Sequence, residues 1–342
     1  MGVKLTELLI RHEISIDALK GKKLAVDAFN TLFQFLTTIR QRDGSPLMDS
    51  HGNITSHLAG LFNRTTKLME SDLKLAFVFD GKAPEMKSEE TQRRRELKEE
   101  AKLKHKEAVS KQDIEEMKKY ASRISYLNEE MIEESKELIS ALGLPILQAP
   151  SEGEAQASYL VKKGDVWGIV SQDADSLLFG AENIIRNLSI EGRRKKAGAL
   201  AYTTVKPELI VLSENLAHLG ITQDQLIVLA LLIGTDYNIG GVKGLGPKKG
   251  LKIVKEYELD FDKLFKNINW EFDFNWKEPF NLIKNMPVTD DYKLAWEDID
   301  EDKVVEILCN RHDFSKERVL KKIENLVKQK EEKKQTGLKK WF

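Results

Sequence analysis

The chain has 342 residues, of which 41% are hydrophobic and 32% charged, and its formal net charge is −1. This length allows one large domain or two smaller ones, and the composition is that of a sizeable core under a charged exterior. A single cysteine, Cys309, excludes a disulfide framework and fits a reducing compartment. No apolar run reaches membrane-spanning length and no signal peptide is recognisable, so we expect an intracellular, cytoplasmic protein with no membrane partner.

The first predicted elements are a short helix, a strand and a longer helix. Leu5, Leu8 and Leu9 follow a helical pattern, and the apolar strand 23–26 runs into Asp27. A helix over about 30–40 follows. Its large apolar side chains are most simply core residues: Phe29, Leu32, Phe33, Phe35, Leu36 and Ile39.

Residues 41–57 form a turn-rich stretch that is too long to be a simple turn. Loops of this length inside compact domains are usually functional or disordered. A helix through Leu61 and Leu68 then leads into a second apolar strand, 75–79, which runs into Asp80.

Residues 82–123 differ from the rest of the chain because charged residues dominate them. Taken alone, such a run favours a solvated helix pair or a disordered insertion. Its position favours a function, since it begins beside Asp80. Lys87 and Arg94 are seven residues apart, or two helical turns, and therefore share one face of a helix. We predict a charged helical arch whose basic face would let a phosphodiester approach an acidic site.

A third strand in the segment 151–180 also ends in carboxylates. Glu152 and Glu154 stand where a helix begins, and the apolar residues 166–170 are followed by Asp173 and Asp175. In α/β proteins, ligands bind at the carboxyl ends of strands. The sequence therefore predicts an α/β fold with a central mixed, mostly parallel sheet flanked by helices.

Two smaller patterns lie in the same half of the chain. Ser151-x-x-Glu154 is also a capping box, so Glu154 taken alone could simply cap its helix. Residues 184–188 are predicted to form a further strand, and the basic turn 193–196 an exposed loop.

Seven carboxylates are candidates for one metal site. Like charges in one pocket raise each other's pKa, so either several stay protonated or cations neutralise them. All-oxygen ligation suits Mg²⁺ or Mn²⁺, and one cysteine with six scattered histidines argues against zinc. Two such ions about 4 Å apart would clamp an in-line phosphoryl displacement. The candidates are Asp27, Asp80, Glu152, Glu154, Asp173, Asp175 and Asp236.

Residues 222–257 are predicted to form a helix, a glycine-rich loop and a second helix. Thr222 and Gln225 make a capping box for an apolar helix that ends at Gly234, and Asp236 follows two residues later.

The glycine-rich loop, 240–250, has the features of a phosphate site. Gly244 and Gly246 allow close backbone approach, and Pro247 suits the first turn of the second helix. Lys248 and Lys249 add positive charge to the exposed N–H groups of that helix start. Such a unit would grip duplex backbone without reading its sequence, and the competing interpretation is a tight helix-to-helix turn.

Residues 328–342 are a polar tail that ends in large apolar side chains. Leu338 and Trp341 would share a face in a 3₁₀ turn, followed by Phe342. Such residues suit a partner's pocket, although the tail could instead fold back on the body.

Together these segments resemble the structure-specific flap endonucleases of the compact archaeal type, over essentially all 342 residues. The motifs occur in the family's order. They are VDAFN at Asp27, VFDGKAPEMK at Asp80, APSEGEAQA at Glu152 and Glu154, SQDADSLLFG at Asp173 and Asp175, GTDYN at Asp236, GLGPKKG, and the terminal QTGLKKWF.

The resemblance implies catalytic machinery. The seven carboxylates would hold two Mg²⁺ ions, with Mn²⁺ as a substitute, and Lys87 and Arg94 would be the catalytic basic pair that contacts the scissile phosphate. Phe33 stands where the family often has a tyrosine that stacks on a base, so it would stack without a hydroxyl.

The resemblance also implies partners. The segment 222–257 would be a helix-two-turn-helix unit that holds duplex DNA through Gly244, Gly246, Lys248 and Lys249, with one bound monovalent cation. Residues 41–57 would supply a wedge and a pocket for a single 3′ nucleotide. The tail would bind the sliding clamp, PCNA, through Gln335, Leu338, Trp341 and Phe342.

We therefore expect a monomeric nuclease domain, 1–327, with a clamp-binding tail, 328–342. It would cut the 5′ flap of branched DNA in replication and repair and also act as a 5′ exonuclease. Two other classes of protein remain as alternatives. A related 5′ exonuclease or RNA nuclease would share the acids, and a non-catalytic adaptor would keep the glycine loop and the tail without needing the acids.

Overall fold

The computed structural model describes residues 5–41, 44–111, 113, 115–116, 119–120, 127–188, 192–195 and 202–338. Within these ranges, a seven-stranded sheet forms the centre, with strand order β1-β9-β6-β5-β2-β3-β4. The strands from β6 to β4 are parallel, whereas β9 and β1 run antiparallel to their neighbours. The predicted mixed, mostly parallel sheet is thus confirmed. Its strands are β1 (His12–Glu13), β2 (Lys23–Asp27), β3 (Lys74–Phe79), β4 (Ile146–Gln148), β5 (Gly168–Val170), β6 (Asn183–Arg186) and β9 (Glu208–Val211).

A small two-stranded sheet pairs β7 (Gly192–Lys195) with β8 (Tyr202–Val205). The prediction of an exposed loop at 193–196 was therefore wrong for 193–195, which form a strand. Four consecutive basic residues suggested a turn, but residues 193–195 pair with β8, which lies further along the chain.

Helices cover both faces of the central sheet. The α-helices of the described residues include α1 (Ala28–Thr38), α2 (Ser56–Glu70), α3 (Ser88–Ser110), α4 (Glu129–Ala141), α5 (Gly153–Lys163), α6 (Leu212–Leu219), α7 (Gln223–Ile233), α8 (Pro247–Tyr257), α9 (Phe261–Asn267), α10 (Lys277–Lys284), α11 (Glu301–Val305) and α12 (Lys316–Leu338).

Successive side chains of the central strands point to opposite faces of the sheet and pack into two separate hydrophobic cores. Leu24, Phe77 and Phe79 pack in one core with α1, α2 and α4. Ala25 and Val78 point the other way, into a core with α5 and α7. A parallel sheet that is covered on both faces needs nearly continuous apolar strands, which is why β3 is buried along all but its first residue.

The elements at the two ends of the chain differ partly from prediction. The leucine pattern at Leu5 to Leu9 forms a turn, closed by the Leu8 N–H donating to the Leu5 carbonyl at 2.8 Å. Leu5 and Leu9 are nonetheless buried, so their spacing reflects burial and not a helix. At the other end, α12 runs continuously through Lys328 to Leu338, so its backbone marks no boundary at the predicted start of the tail.

Helix α7 confirms the predicted capping box and helix end. The Thr222 hydroxyl accepts from the Gln225 N–H, the Gln225 side chain accepts from the Thr222 N–H, and Gly234 terminates the helix. No single helix in the described part of the chain is long and apolar enough to cross a membrane. Among the described residues, helices α6 and α7 reach that length and apolar character only when taken as a pair, which is bent by 77°. Helix α7 is buried in the core from Gln225 onward.

Candidate active site

Two carboxylates stand where neighbouring parallel strands end. Asp27 is the last residue of β2, and its side chain caps α1 by accepting from the Asn30 N–H at 3.0 Å. Asp80 follows β3, and its side chain accepts from the Gly153 N–H at 2.6 Å. Because β5, β2 and β3 are adjacent and parallel, their carboxyl ends lie along one edge of the sheet. The hydrogen bond from Gly153 to Asp80 connects the start of α5 to that edge.

The start of α5 supplies two further carboxylates. Glu152 is the N-cap residue and Glu154 lies in the first turn. The Ser151 hydroxyl donates to the Lys82 carbonyl at 3.1 Å and makes no capping box. Glu154 instead points into the site, where one of its oxygens accepts from the hydroxyls of Ser171 and Ser176, each at 3.4 Å. The capping explanation of Glu154 is therefore wrong.

The segment after β5 is held by polar groups that the sequence did not single out. The Asn30 amide donates to Asp173 at 2.9 Å, and the Asp173 N–H donates to the Ser171 hydroxyl at 3.2 Å. Asn30 lies three residues after Asp27 and Ser171 directly follows β5. Their closeness to the acids in the sequence was the available signal, but small polar residues are too common there for it to stand out.

Burial and mutual repulsion raise the pKa of several of these carboxyl groups. Burial, followed by the charges of Asp80 and Asp173, raises the pKa of Asp27 to about 7. Burial and then the charge of Asp175 raise the pKa of Glu154 well above its usual value. Burial likewise raises the pKa of Asp80 and of Glu152. The cluster therefore holds more negative charge than its surroundings stabilise.

A buried phenol faces the same cluster. Burial, with the charges of Glu152 and Glu154, raises the pKa of Tyr237 far above its ordinary value. Tyr237 follows Asp236 in the sequence, and burial and carboxylate charge keep it in the neutral form. Its influence on the site is another feature that the sequence analysis missed.

The arch brings two basic side chains onto the cluster. Lys87 ends a 3₁₀ turn just before α3, and its Nζ lies 2.7 Å from Glu152 Oε2 and 3.6 Å from Asp236 Oδ2. Arg94, on α3, lies 2.8 Å from Asp236 Oδ2 and 2.6 Å from Glu90 Oε1. The structure thus brings the predicted basic pair and the seven predicted carboxylates to one place.

The composition of the cluster fits hard divalent cations. Its ligating atoms are carboxylate oxygens, which Mg²⁺ and Mn²⁺ prefer. Glu152 Oε1 is buried and has no hydrogen-bond partner in the described structure, which leaves a carboxylate oxygen free for a cation. As the side chains stand, no three His, Cys, Asp or Glu residues among those described are arranged around one metal position. Lys87 is bonded to the other oxygen of Glu152, so the arch supplies part of the positive charge that the acids require.

The turn that carries Asp236 is continuous with the glycine-rich loop. Asn238 ties it together, because its amide accepts from the Thr235 N–H at 3.1 Å and donates to the Leu231 carbonyl at 2.7 Å. The backbones of Gly234 and Gly241 touch so closely that a Cβ on Gly234 would lie 2.7 Å from the Gly241 nitrogen. The acidic cluster and the glycine-rich loop therefore share one tightly packed turn.

The glycine-rich loop leads directly into α8. Gly244 has a positive φ of 80°, which is why glycine suits this position. Gly246 is the N-cap residue, without a side-chain cap, and Pro247 is the first residue of α8 as predicted. Lys248 and Lys249 are exposed beside it. A helix start with two lysines beside it is an arrangement that favours anions.

The remaining predicted site residues are Phe33 and four residues of the tail. Phe33 is 45% exposed on α1, so its assignment to the core was wrong, and its exposed ring is available for stacking. Gln335 and Leu338 lie in the last part of α12, where side chains are outside the described structure. Trp341 and Phe342 fall outside the described residues.

Comparison with known proteins gives matches along the whole chain. The model of the XPG N-terminal domain matches residues 1–101, and that of the XPG I-region matches residues 143–236. Flap endonuclease 1 of Pyrococcus abyssi is 53% identical over 342 residues, covering 100% of this chain and 98% of the relative. Flap endonuclease 1 of Thermococcus onnurineus is 52% identical, with coverage of 100% and 99%.

Solved structures agree with these matches. Flap endonuclease-1 from Methanococcus jannaschii superposes with a TM-score of 0.77 and 44% identity, covering 97% of this chain and 100% of that one. The catalytic core of Rad2, solved in complex with a DNA substrate, has a TM-score of 0.69 at 24% identity, covering 95% and 100%, and at that identity it shows the fold alone. The long match to the archaeal proteins shows more than a fold, and the chain therefore belongs to the flap endonuclease family.

Proposed function

We propose that the protein is a structure-specific 5′-flap endonuclease that hydrolyses one phosphodiester of DNA at the junction between single strand and duplex, in replication and repair. A 5′ exonuclease activity of the same site is part of the proposal. The observation that carries it is the buried acidic cluster at the strand ends with Lys87 and Arg94 across it. Membership of the flap endonuclease family supports the choice of substrate.

We assign the seven carboxylates to the binding of two Mg²⁺ ions, for which Mn²⁺ can substitute. Such ions, when bound, activate water and stabilise a leaving oxygen. Asn30 orients Asp173 through its 2.9 Å hydrogen bond, and Ser171 and Ser176 hold Glu154. With cations present these acids would be ionised, because the repulsion that raises their pKa values would be offset.

Lys87 and Arg94 are assigned to the phosphate. Both side chains already lie against carboxylates of the cluster, so a phosphate bound there would find them within reach. Their charge would offset the negative charge that grows on the phosphate oxygens in the transition state. The arch therefore contributes to catalysis as well as to shielding the site.

DNA binding is assigned to the glycine-rich loop and to Phe33. The loop at Gly244 and Gly246, with Lys248 and Lys249, would hold the duplex backbone, with one monovalent cation bound in the unit. Phe33 would stack on a base. These contacts read shape and phosphate positions and not base edges, so specificity would come from the geometry of the junction.

A labelled 5′-flap duplex, incubated with Mg²⁺ or with chelator, tests the catalytic proposal. We expect endonucleolytic cleavage near the flap base that chelator stops, and that Asp173→Asn abolishes while DNA binding is retained. Asp291→Asn changes an exposed aspartate and serves as the matched control. Release of single nucleotides alone would favour the 5′ exonuclease alternative, cleavage of RNA alone would favour the RNA nuclease, and binding without any cleavage would favour the adaptor.

The tail is assigned to the sliding clamp, PCNA, and the protein to a monomeric, intracellular state. The support for the clamp contact is the terminal pattern with Gln335, Leu338, Trp341 and Phe342. Replacing Trp341 and Phe342 by alanine should leave unstimulated cleavage unchanged and remove stimulation by the clamp. A loss of basal cleavage in that variant would refute this role.

A further inference from the structure

A hairpin within the turn-rich stretch is attached to the body of the protein through two adjacent residues near the C-terminus. The hairpin, Leu47 to Thr55, is closed by the Asp49 N–H donating to the Asn53 carbonyl at 3.0 Å and the Thr55 N–H donating to the Leu47 carbonyl at 2.8 Å. The Asp49 carboxylate contacts His312, and Ser50 donates to Asp313 through its N–H at 2.8 Å and its hydroxyl at 2.5 Å. We call this segment the 47–55 hairpin.

His312 lies between two carboxylates from different parts of the fold. Its Nδ1 is 2.9 Å from Asp49 Oδ2 on the hairpin, and its Nε2 is 2.8 Å from Glu134 Oε1 on α4. The His312 side chain is 6% exposed, and that of Asp49 is completely covered. The ring therefore joins the hairpin to α4 in a place that water hardly reaches.

These contacts determine the protonation state of the ring. An ionised carboxylate only accepts hydrogen bonds, and a neutral imidazole has only one N–H to donate. With both carboxylates ionised, both short contacts of His312 can be hydrogen bonds only if both nitrogens carry protons. Asp49 is held ionised, because it also accepts from the N–H groups of His51 and Asn53 and from the Asn53 amide.

The other charged groups near the ring agree with this state. His57, at the start of α2, is fully buried and neutral, since burial and the charge of His312 lower its pKa to about 3. On the segment of His312 itself, Arg311 is paired with Glu306 and Glu137, and Asp313 is paired with Ser50. Burial opposes the charge on His312, but hydrogen bonds to Asp49 and Glu134 raise its pKa overall.

We propose that doubly protonated His312 fastens the 47–55 hairpin to the body of the protein, and that this attachment weakens when His312 loses a proton, although Ser50 remains bonded to Asp313. A neutral ring would leave one carboxylate facing a bare nitrogen, two acceptors at hydrogen-bond distance with no proton between them. Because the folded-state pKa is raised, the fastening is complete below the ordinary pKa of histidine and is lost as the pH rises through the folded-state value.

The fastening bears on substrate selection, and this part rests on the proposed function, in which residues 41–57 contact the junction. A fastened hairpin presents one rigid shape to the DNA, whereas a more weakly attached one must be ordered on binding. Discrimination between junctions with and without one unpaired 3′ nucleotide should then decrease at high pH. His312 acts here as a positioning residue, since it contacts the hairpin and not the reacting atoms.

Hydrogen exchange and NMR of the full chain, without metal or DNA, test the fastening directly. Ring nitrogen shifts should show both nitrogens of His312 protonated at pH 7. Amide protection in the 47–55 hairpin, corrected for the intrinsic pH dependence of exchange, should fall about tenfold or more as His312 titrates. His312→Gln should show the low protection at every pH. His12→Gln, at an exposed histidine with one carboxylate partner, Glu214 at 2.8 Å, should behave like the wild type.

A second variant covers the case in which His312→Gln does not fold. Glu134→Gln keeps the size of the side chain and removes one of the two charges, so the fall in protection should move to lower pH. A neutral ring at pH 7, or protection that ignores both pH and Glu134→Gln, would overturn the proposal. If protection follows pH but discrimination between the two junctions does not, the fastening is supported and the assignment of residues 41–57 to DNA contact fails.

Discussion

Replacing Asp27 by asparagine should stabilise the metal-free protein at high pH. Asp27 is 7% exposed, and burial with the charges of Asp80 and Asp173 raises its pKa from 3.8 to about 7. Between these values the folded state holds a proton that the unfolded state has released, so stability falls as the pH rises. This loss of folding stability is absent below about pH 4 and complete above about pH 7.

The size of the effect follows from the pKa change. Moving a carboxyl pKa from 3.8 to about 7 corresponds to about 4 kcal/mol of lost stability. Neighbouring acids share this repulsion, so we expect Asp27→Asn to gain about 2–4 kcal/mol at pH 8. Asparagine can still cap α1 by accepting from Asn30, because it is as good an N-cap residue as aspartate.

Urea unfolding in chelator, at pH 8 and pH 5, measures the effect. The gain should be clearly smaller at pH 5, and Asp291→Asn should show no gain at either pH. Adding Mg²⁺ should stabilise the wild type more than Asp27→Asn, because the variant would lack one of the proposed ligands. A variant that is no more stable than the wild type at pH 8 would show that the acidic cluster is not under charge strain, and the electrostatic argument would fail.

Three further predictions concern the arch and the glycine-rich loop. Lys87→Ala should lower kcat on a 5′-flap substrate by about 100-fold or more with little change in DNA affinity. Single-turnover rates and binding curves measure the two effects, and a fall in affinity with an unchanged rate would contradict this role. Gly241→Ala should destabilise the fold by about 2 kcal/mol or more, because a Cβ there would overlap the neighbouring backbone. Gly240→Ala, whose Cβ would meet nothing within 4 Å, should cost about 1 kcal/mol. Equal melting temperatures of the two variants would contradict this packing. Replacing Lys248 and Lys249 by alanine should weaken DNA binding at low salt and reduce the slope of log K against log salt by about 2, and an unchanged slope would mean that neither lysine contacts phosphate.

The fold and the acids were readable from sequence for a physical reason. Strands β2 and β3 are short apolar runs that stop at carboxylates, Asp27 and Asp80, and parallel strands bring such ends together wherever they lie in the chain. The glycine and proline pattern before α8 and the capping box of α7 are local rules as well, and both are as predicted.

What the sequence did not reveal depends on contacts between distant segments. Asn30 meets Asp173 across 143 residues, and His312 meets Asp49 across 263. Phe33 has the apolar character of its neighbours on α1, and only the packed structure shows that it faces outward. Local pattern identifies which residues are unusual, and tertiary packing decides which of them meet.

The contact between Gly234 and Gly241 has a mechanical consequence. With no side chain between them, the backbones of Gly234 and Gly241 hold the turn that carries Asp236 against the start of the glycine-rich loop. A duplex bound by Lys248 and Lys249 would then lie at a distance from Asp236 that depends on this turn. If the proposed assignments hold, the position of the cut along the DNA is set by a rigid spacer of backbone, and lengthening the loop by one residue should move the cut without stopping it.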